Sequence, residues 1–238
     1  MTRSGRPWAV VVTAVVCALV TLGALVTAAV LRHERSTASR PAETTTPPTT
    51  TSGAGADGCL DDPCRVLGPI PIGGTAVQLV ADAGGKSGRV QIGGGGASDV
   101  IEVTITKLGA VLGPDALQCV GGTLSACVVR GSAADGMLGQ VIVGRSAKWA
   151  SLAKPFASDA GFVAVQDVTG QQSGPEVLVA QHRCDRAATA DCSDTEVYVQ
   201  IFSMRSEVLG CTRDYARLES MPGWPNPDLS EATIRSCD

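Results

Sequence analysis

The sequence predicts a mainly β, disulfide-bonded domain held outside a membrane by one apolar span and a disordered stalk. Three observations predict it. Val10 to Leu31 is uncharged throughout, a Thr/Pro-rich stretch follows, and beyond it come short β-rich runs punctuated by glycine and cysteine. The expected boundaries are a cytoplasmic N-terminus at 1–9, a transmembrane helix at 10–31, the stalk at 32–58 and a compact extracytoplasmic all-β domain at 59–238.

The span holds 22 residues. As a helix it would be roughly 33 Å long, about the thickness of the hydrocarbon layer. Arg3 and Arg6 precede it while Arg32, His33, Glu34 and Arg35 follow, so flanking charge does not orient it. The cysteines downstream do, because they call for an oxidising space and so for a cytoplasmic N-terminus. The alternative is a secreted protein released by signal cleavage near the small residues Thr27, Ala28 and Ala29. A span of this length exceeds the usual signal core, which favours plasma-membrane retention.

Residues 32–58 contain Pro41, Pro47, Pro48 and the threonine runs Thr44 to Thr46 and Thr49 to Thr51. Such a composition has nothing to bury. It reads as a spacer stiffened by proline, reaching roughly 80 Å if fully extended.

The domain beyond has few large side chains, since aromatic residues make up only 3% of the chain, and Val, Ala and Gly must do much of the packing. Strand-like runs are Thr75 to Val80, Arg89 to Ile92, Val100 to Lys107, Ala126 to Arg130, Gln140 to Val143, Phe162 to Val165, Glu176 to Ala180 and Glu196 to Phe202. The runs from Val100 and from Glu196 alternate as strands with one buried face do. Trp149 and Phe156 are expected to pack against the sheet.

Cys17 lies within the span, leaving Cys59, Cys64, Cys119, Cys127, Cys184, Cys192, Cys211 and Cys237 for disulfides. Eight cysteines allow about 105 pairings. The nearest-neighbour scheme joins Cys59 to Cys64, Cys119 to Cys127 across a hairpin, Cys184 to Cys192 across the loop Asp185 to Asp191, and Cys211 to Cys237 at the tail. Zinc is the competing use of thiols, but no CxxC pair is present.

From Asp57 onward there are 14 Lys and Arg against 21 Asp and Glu, a balance that argues against nucleic acid as a partner. Val80 to Ser87 ends in the Gly-Lys-Ser of a phosphate loop, yet Val80 stands where the first glycine belongs, and a turn accounts for the glycines. The Gly93 to Gly96 run reads as a flexible loop. His182 ends a strand-like run with no G-x-S-x-G elbow in the chain, so it reads as a strand-end residue. Trp224, between prolines in Met221 to Pro227, has two readings: an exposed platform for a ligand, or an aromatic closing the core.

The segment 162–180, strand, acidic loop, strand, resembles one FG-GAP or VCBS repeat of extracellular β-propellers. That family's loop holds calcium through oxygen ligands, and the resemblance implies Asp167, Thr169 and Glu176 as the candidate set. Asp167 and Gly170 match the pattern; Thr169, Gln171 and Gln172 depart from it, and the loop is one residue longer. Related Asp/Gly turns occur at Asp82 and Asp135, at unequal offsets of 53 and 32 along the series to Asp167. Ordinary turn chemistry between strands is the favoured explanation of such residues. As a whole, the chain resembles the membrane-anchored exported proteins of unassigned function found in high-GC Gram-positive bacteria.

The functional expectation is a non-enzymatic binding or structural module at the cell envelope, partnered by the membrane and by a cell-wall glycan or envelope protein, with no cofactor. The alternatives are an envelope hydrolase acting on glycan or peptide, and an adhesion module stabilised by calcium.

Overall fold

The computed structural model describes residues 59, 61–93, 99–145, 148–170, 174–184, 192–230 and 233–237. All lie in one unit, Gly53–Asp238. The span, the stalk, Gly94 to Gly96, Gln171, Gln172 and the loop Asp185 to Asp191 fall outside the described residues.

Thirteen strands and two short 3₁₀ turns make up the regular structure among the described residues. The first sheet is the antiparallel meander β1 (Arg65–Ile72), β2 (Thr75–Ala81), β3 (Gly88–Ile92) and β4 (Asp99–Glu102). The second is β5 (Leu117–Val120), β6 (Ser125–Ala133), β7 (Gly136–Arg145) and β8 (Lys148–Ser151), with β9 (Phe156–Ser158) pairing with the other half of β7. The third is β10 (Val163–Gln166), β11 (Glu176–His182), β12 (Val197–Phe202) and β13 (Val208–Cys211).

The three sheets stack face to face. Val77, Leu79, Val90 and Ile92 of the first sheet meet Cys127, Val129 and Ile142 of the second. The opposite face of the second sheet, Ala126, Val128 and Val141, meets Val163, Val165, Val177 and Val179 of the third. β6 and β11 are therefore buried on both faces and read as continuous apolar runs, while β12, with its partly covered inner face, alternates. The first strands β1, β5 and β10 are neighbours along one side of the stack.

The outer face of the third sheet, including Leu178, Ala180, Val199 and Ile201, is covered by the tail through Tyr215, Met221 and Leu229. That tail is held by the Cys211–Cys237 disulfide and by paired hydrogen bonds between the backbones of Cys211 and Arg235. Cys59–Cys64, Cys119–Cys127 and Cys184–Cys192 complete four disulfides, each joining neighbours in the cysteine series. Cys119 faces Cys127 directly in the β5–β6 register, with Cα atoms 4.0 Å apart, as the close, non-hydrogen-bonded type of cross-strand pair allows.

The run from Val100 leaves the sheet earlier than its alternation predicts. β4 ends at Glu102, and Thr104 donates from its backbone N–H and its hydroxyl to the side-chain oxygen of buried Gln140, while Gln140 Nε2 donates to Glu102 O. The side chain of β7 thus replaces the ladder, and Ile105 opens a 3₁₀ turn with its side chain still in the core. Trp149 packs on the first core cluster and crosses Gly144 so closely that a Cβ there would lie 2.5 Å from the indole. Phe156 is buried in the second cluster, its ring 5.2 Å from that of Phe202.

Candidate functional site

The Asp82 and Asp135 turns occupy the same place in the first and second sheets, between the second and third strands. The Asp167 loop joins the first and second strands of the third sheet. That displacement accounts for the unequal offsets. In the third sheet the equivalent position is the connection bounded by Cys184 and Cys192.

The Gly-Lys-Ser turn holds an anion of its own. Asp82 is fully buried; its carboxylate accepts from Lys86 N–H at 2.8 Å and from the Ser87 hydroxyl at 2.9 Å. Gly85 adopts a left-handed φ of +69° and lies where a Cβ would strike Leu112 O. Two of the donors a phosphate would use, the Lys86 N–H and the Ser87 hydroxyl, are directed at Asp82.

The Asp167 loop is organised in a related way. Glu176 is buried, one carboxylate oxygen accepting from Val168 N–H at 2.8 Å and the other from the Thr169 hydroxyl at 2.5 Å. Exposed Asp167 accepts from Gly170 N–H at 2.8 Å. Among the described residues no group of three His, Cys, Asp or Glu side chains is placed to share a metal ion. Asp159 takes both a 2.8 Å hydrogen bond from the His182 backbone N–H and a 3.5 Å contact from His182 Nδ1, fixing the end of β11.

Trp224 packs its ring 5.1 Å from that of buried Phe162. It therefore contributes to closing the tail over the third sheet, and the residues that follow it do something else. Pro225, Asn226 and Pro227 form one wall of a crevice of about 440 Å³, the other walls coming from Pro114, Asp115 and Gln118 on one side and Phe162 and Gln166 on the other, with Arg130 between. Gln166 Nε2 donates to Pro227 O at 3.0 Å, tying the tail wall to β10.

Arg130 ends the apolar run of β6. Its Nε donates to Asp115 O at 3.0 Å and its Nη1 to Val163 O at 3.1 Å, bridging the second and third sheets through two neutral carbonyls. Burial lowers the guanidinium pKa from its ordinary value, and the Asp115 charge acts the other way. On β5, the side-chain oxygen of Gln118 is buried with no hydrogen-bond partner among the described residues. An acceptor so placed costs roughly 1–3 kcal/mol until a donor meets it.

A larger cleft of about 1000 Å³ opens at the end carrying the β5–β6, β10–β11 and β12–β13 connections, with Leu124, Met204 and Leu209 beside Arg145 and Arg205. The smaller crevice is the better candidate because it combines an incompletely coordinated cation with an unmet acceptor. Neither Arg130 nor Gln118 stood out in the sequence. The available signal was a lone cation closing a run otherwise buried on both faces.

No family model matches this chain, and neither the curated proteins nor the solved structures contain a significant match.

Proposed function

We propose that this chain is a membrane-anchored, extracytoplasmic binding module whose ligand enters the crevice between β5 and β10. The observation that carries the reading is the pairing, in one crevice, of the half-buried Arg130 guanidinium with the unmet Gln118 oxygen. Polar groups converging in a partly apolar crevice are the usual features of a small-ligand site. The stacking of three meanders with their first strands side by side supports an arc of a β-propeller as the architecture, which would put this crevice beside the propeller axis.

The module acts at the plasma membrane, with residues 10–31 as its anchor and 32–58 as its spacer, and its partner is an envelope glycan or protein. We assign it no cofactor. The hydrogen bonds from Val168 and Thr169 to Glu176 brace the described part of this loop from within the chain.

The test is retention of solubilised envelope fractions on the immobilised full-length chain. Specific retention, lost in Arg130→Gln, is the expected result. Release of products from peptidoglycan without retention would replace this reading with a hydrolase.

A further inference from the structure

We propose, building on that binding role, that the crevice recognises a carboxylate lying close to an N–H donor. Such a group occurs at the C-terminus of a peptide and on a carboxylated N-acetyl sugar. The cation and the acceptor that would read it lie on adjacent strands. Arg130 N–H donates to Ala116 O, and Gln118 faces Val128 in the same ladder. Arg130 and Gln118 are thus diagonal neighbours on one face of the sheet, with Cα atoms roughly 7–8 Å apart. Two side chains of this length can reach one small ligand across that gap.

The guanidinium is oriented before a ligand arrives. Its Nε and Nη1 are held by carbonyl oxygens, which fixes the plane, and Nη2 has no hydrogen-bond partner among the described residues. No described carboxylate forms an ion pair with it. A cation removed from much of its water and hydrogen-bonded to neutral carbonyls, with the Asp115 charge acting on it at longer range, attracts an anion, and guanidinium geometry suits a carboxylate. Gln118 lines the crevice, and its Oε1, closed off from solvent and without a partner among the described residues, accepts from a ligand amide once the side chain turns outward. Buried Phe162 and the prolines of the tail offer apolar contact to a methyl or methylene group beside that amide.

The experiment is calorimetric titration of the full-length chain in detergent with two matched pairs: acetyl-alanyl-alanine against its C-terminal amide, and N-acetylmuramic acid against N-acetylglucosamine. The carboxylated member of at least one pair is expected to bind tenfold or more tightly than its neutral partner, and the pair that discriminates identifies the source. Equal binding within both pairs, or none, overturns the proposal. Gln118→Leu is expected to weaken the preferred probe at least fivefold; wild-type affinity would overturn the N–H half of the proposal. Arg130→Gln, which removes the charge, should abolish the carboxylate preference. Because Arg130 also bridges two sheets, Gln118→Glu serves as a second variant. It leaves those bridges intact and must weaken carboxylated probes more than neutral ones, and a uniform effect would contradict the assignment. Retention of envelope material without carboxylate preference would remove this inference and leave the binding role standing; failure of both would remove both.

Discussion

The two ends of the sheet stack are finished differently. On the outer face of the first sheet, Val66 and Val100 are each 56% exposed and stand among Gln78, Arg89, Gln91 and Glu102, with Gln78 Nε2 donating to Gln91 Oε1 at 2.7 Å. The outer face of the third sheet is Leu178, Ala180, Val199 and Ile201, and the tail lies across it. A mixed polar face can meet water directly. An aliphatic face needs a cover, and here irregular chain from Tyr215 onward supplies it, clamped by Cys211–Cys237. The cover has a second consequence, since its Pro225–Pro227 stretch also walls the crevice beside Arg130.

The largest expected difference comes from truncating one side chain on each face. Leu178→Ala should lower the unfolding free energy by about 2–5 kcal/mol in a urea titration, whereas Val100→Ala should stay within about 0.5 kcal/mol. Equal losses would erase the distinction between the ends. Next is the clamp. Replacing Cys211 and Cys237 by alanine opens a disulfide with a sequence separation of 26, and should cost about 3 kcal/mol. A change under about 1 kcal/mol would mean that the tail holds its place without it.

A smaller effect is expected at the Asp167 loop. Glu176→Gln leaves only one of two acceptor oxygens for Val168 N–H and Thr169 OH, a loss of roughly 1–3 kcal/mol. Chelator should leave the thermal midpoint of the wild type unchanged. A drop reversed by millimolar calcium would show that an ion contributes to this loop. The smallest effect belongs to Val66→Ala on the exposed part of the first sheet's outer face, where the expected change is within about 0.5 kcal/mol, so a large loss would reveal a contact over Val66.

Legibility in the sequence followed burial. Runs such as Glu176 to Ala180 and Glu196 to Phe202 announce β11 and β12 because most of their side chains enter a core. β1 is hidden by Gly68, Pro69 and Pro71: a β-bulge between Leu67 and Ile70 takes up the first two, and the sheet edge admits Pro71 opposite Ala76. β5, β8, β9 and β13 are short and lie at sheet edges, too brief for a period to emerge. The Val100 run was legible as apolar alternation, but its early exit depends on Gln140, distant in sequence. The candidate site was the least legible part. Its members come from two sheets and the tail, and Trp224, which the sequence singled out, contributes through packing against Phe162.

Hydrogen exchange on the full-length chain, wild type against Cys211→Ala/Cys237→Ala, tests most directly whether the tail covers the third sheet and walls the crevice. Loss of protection should concentrate in β12, β13 and the backbone around Gln166 and Pro227, while β2 and β3 keep theirs. A uniform loss across all three sheets, or no loss in the third, would contradict the account.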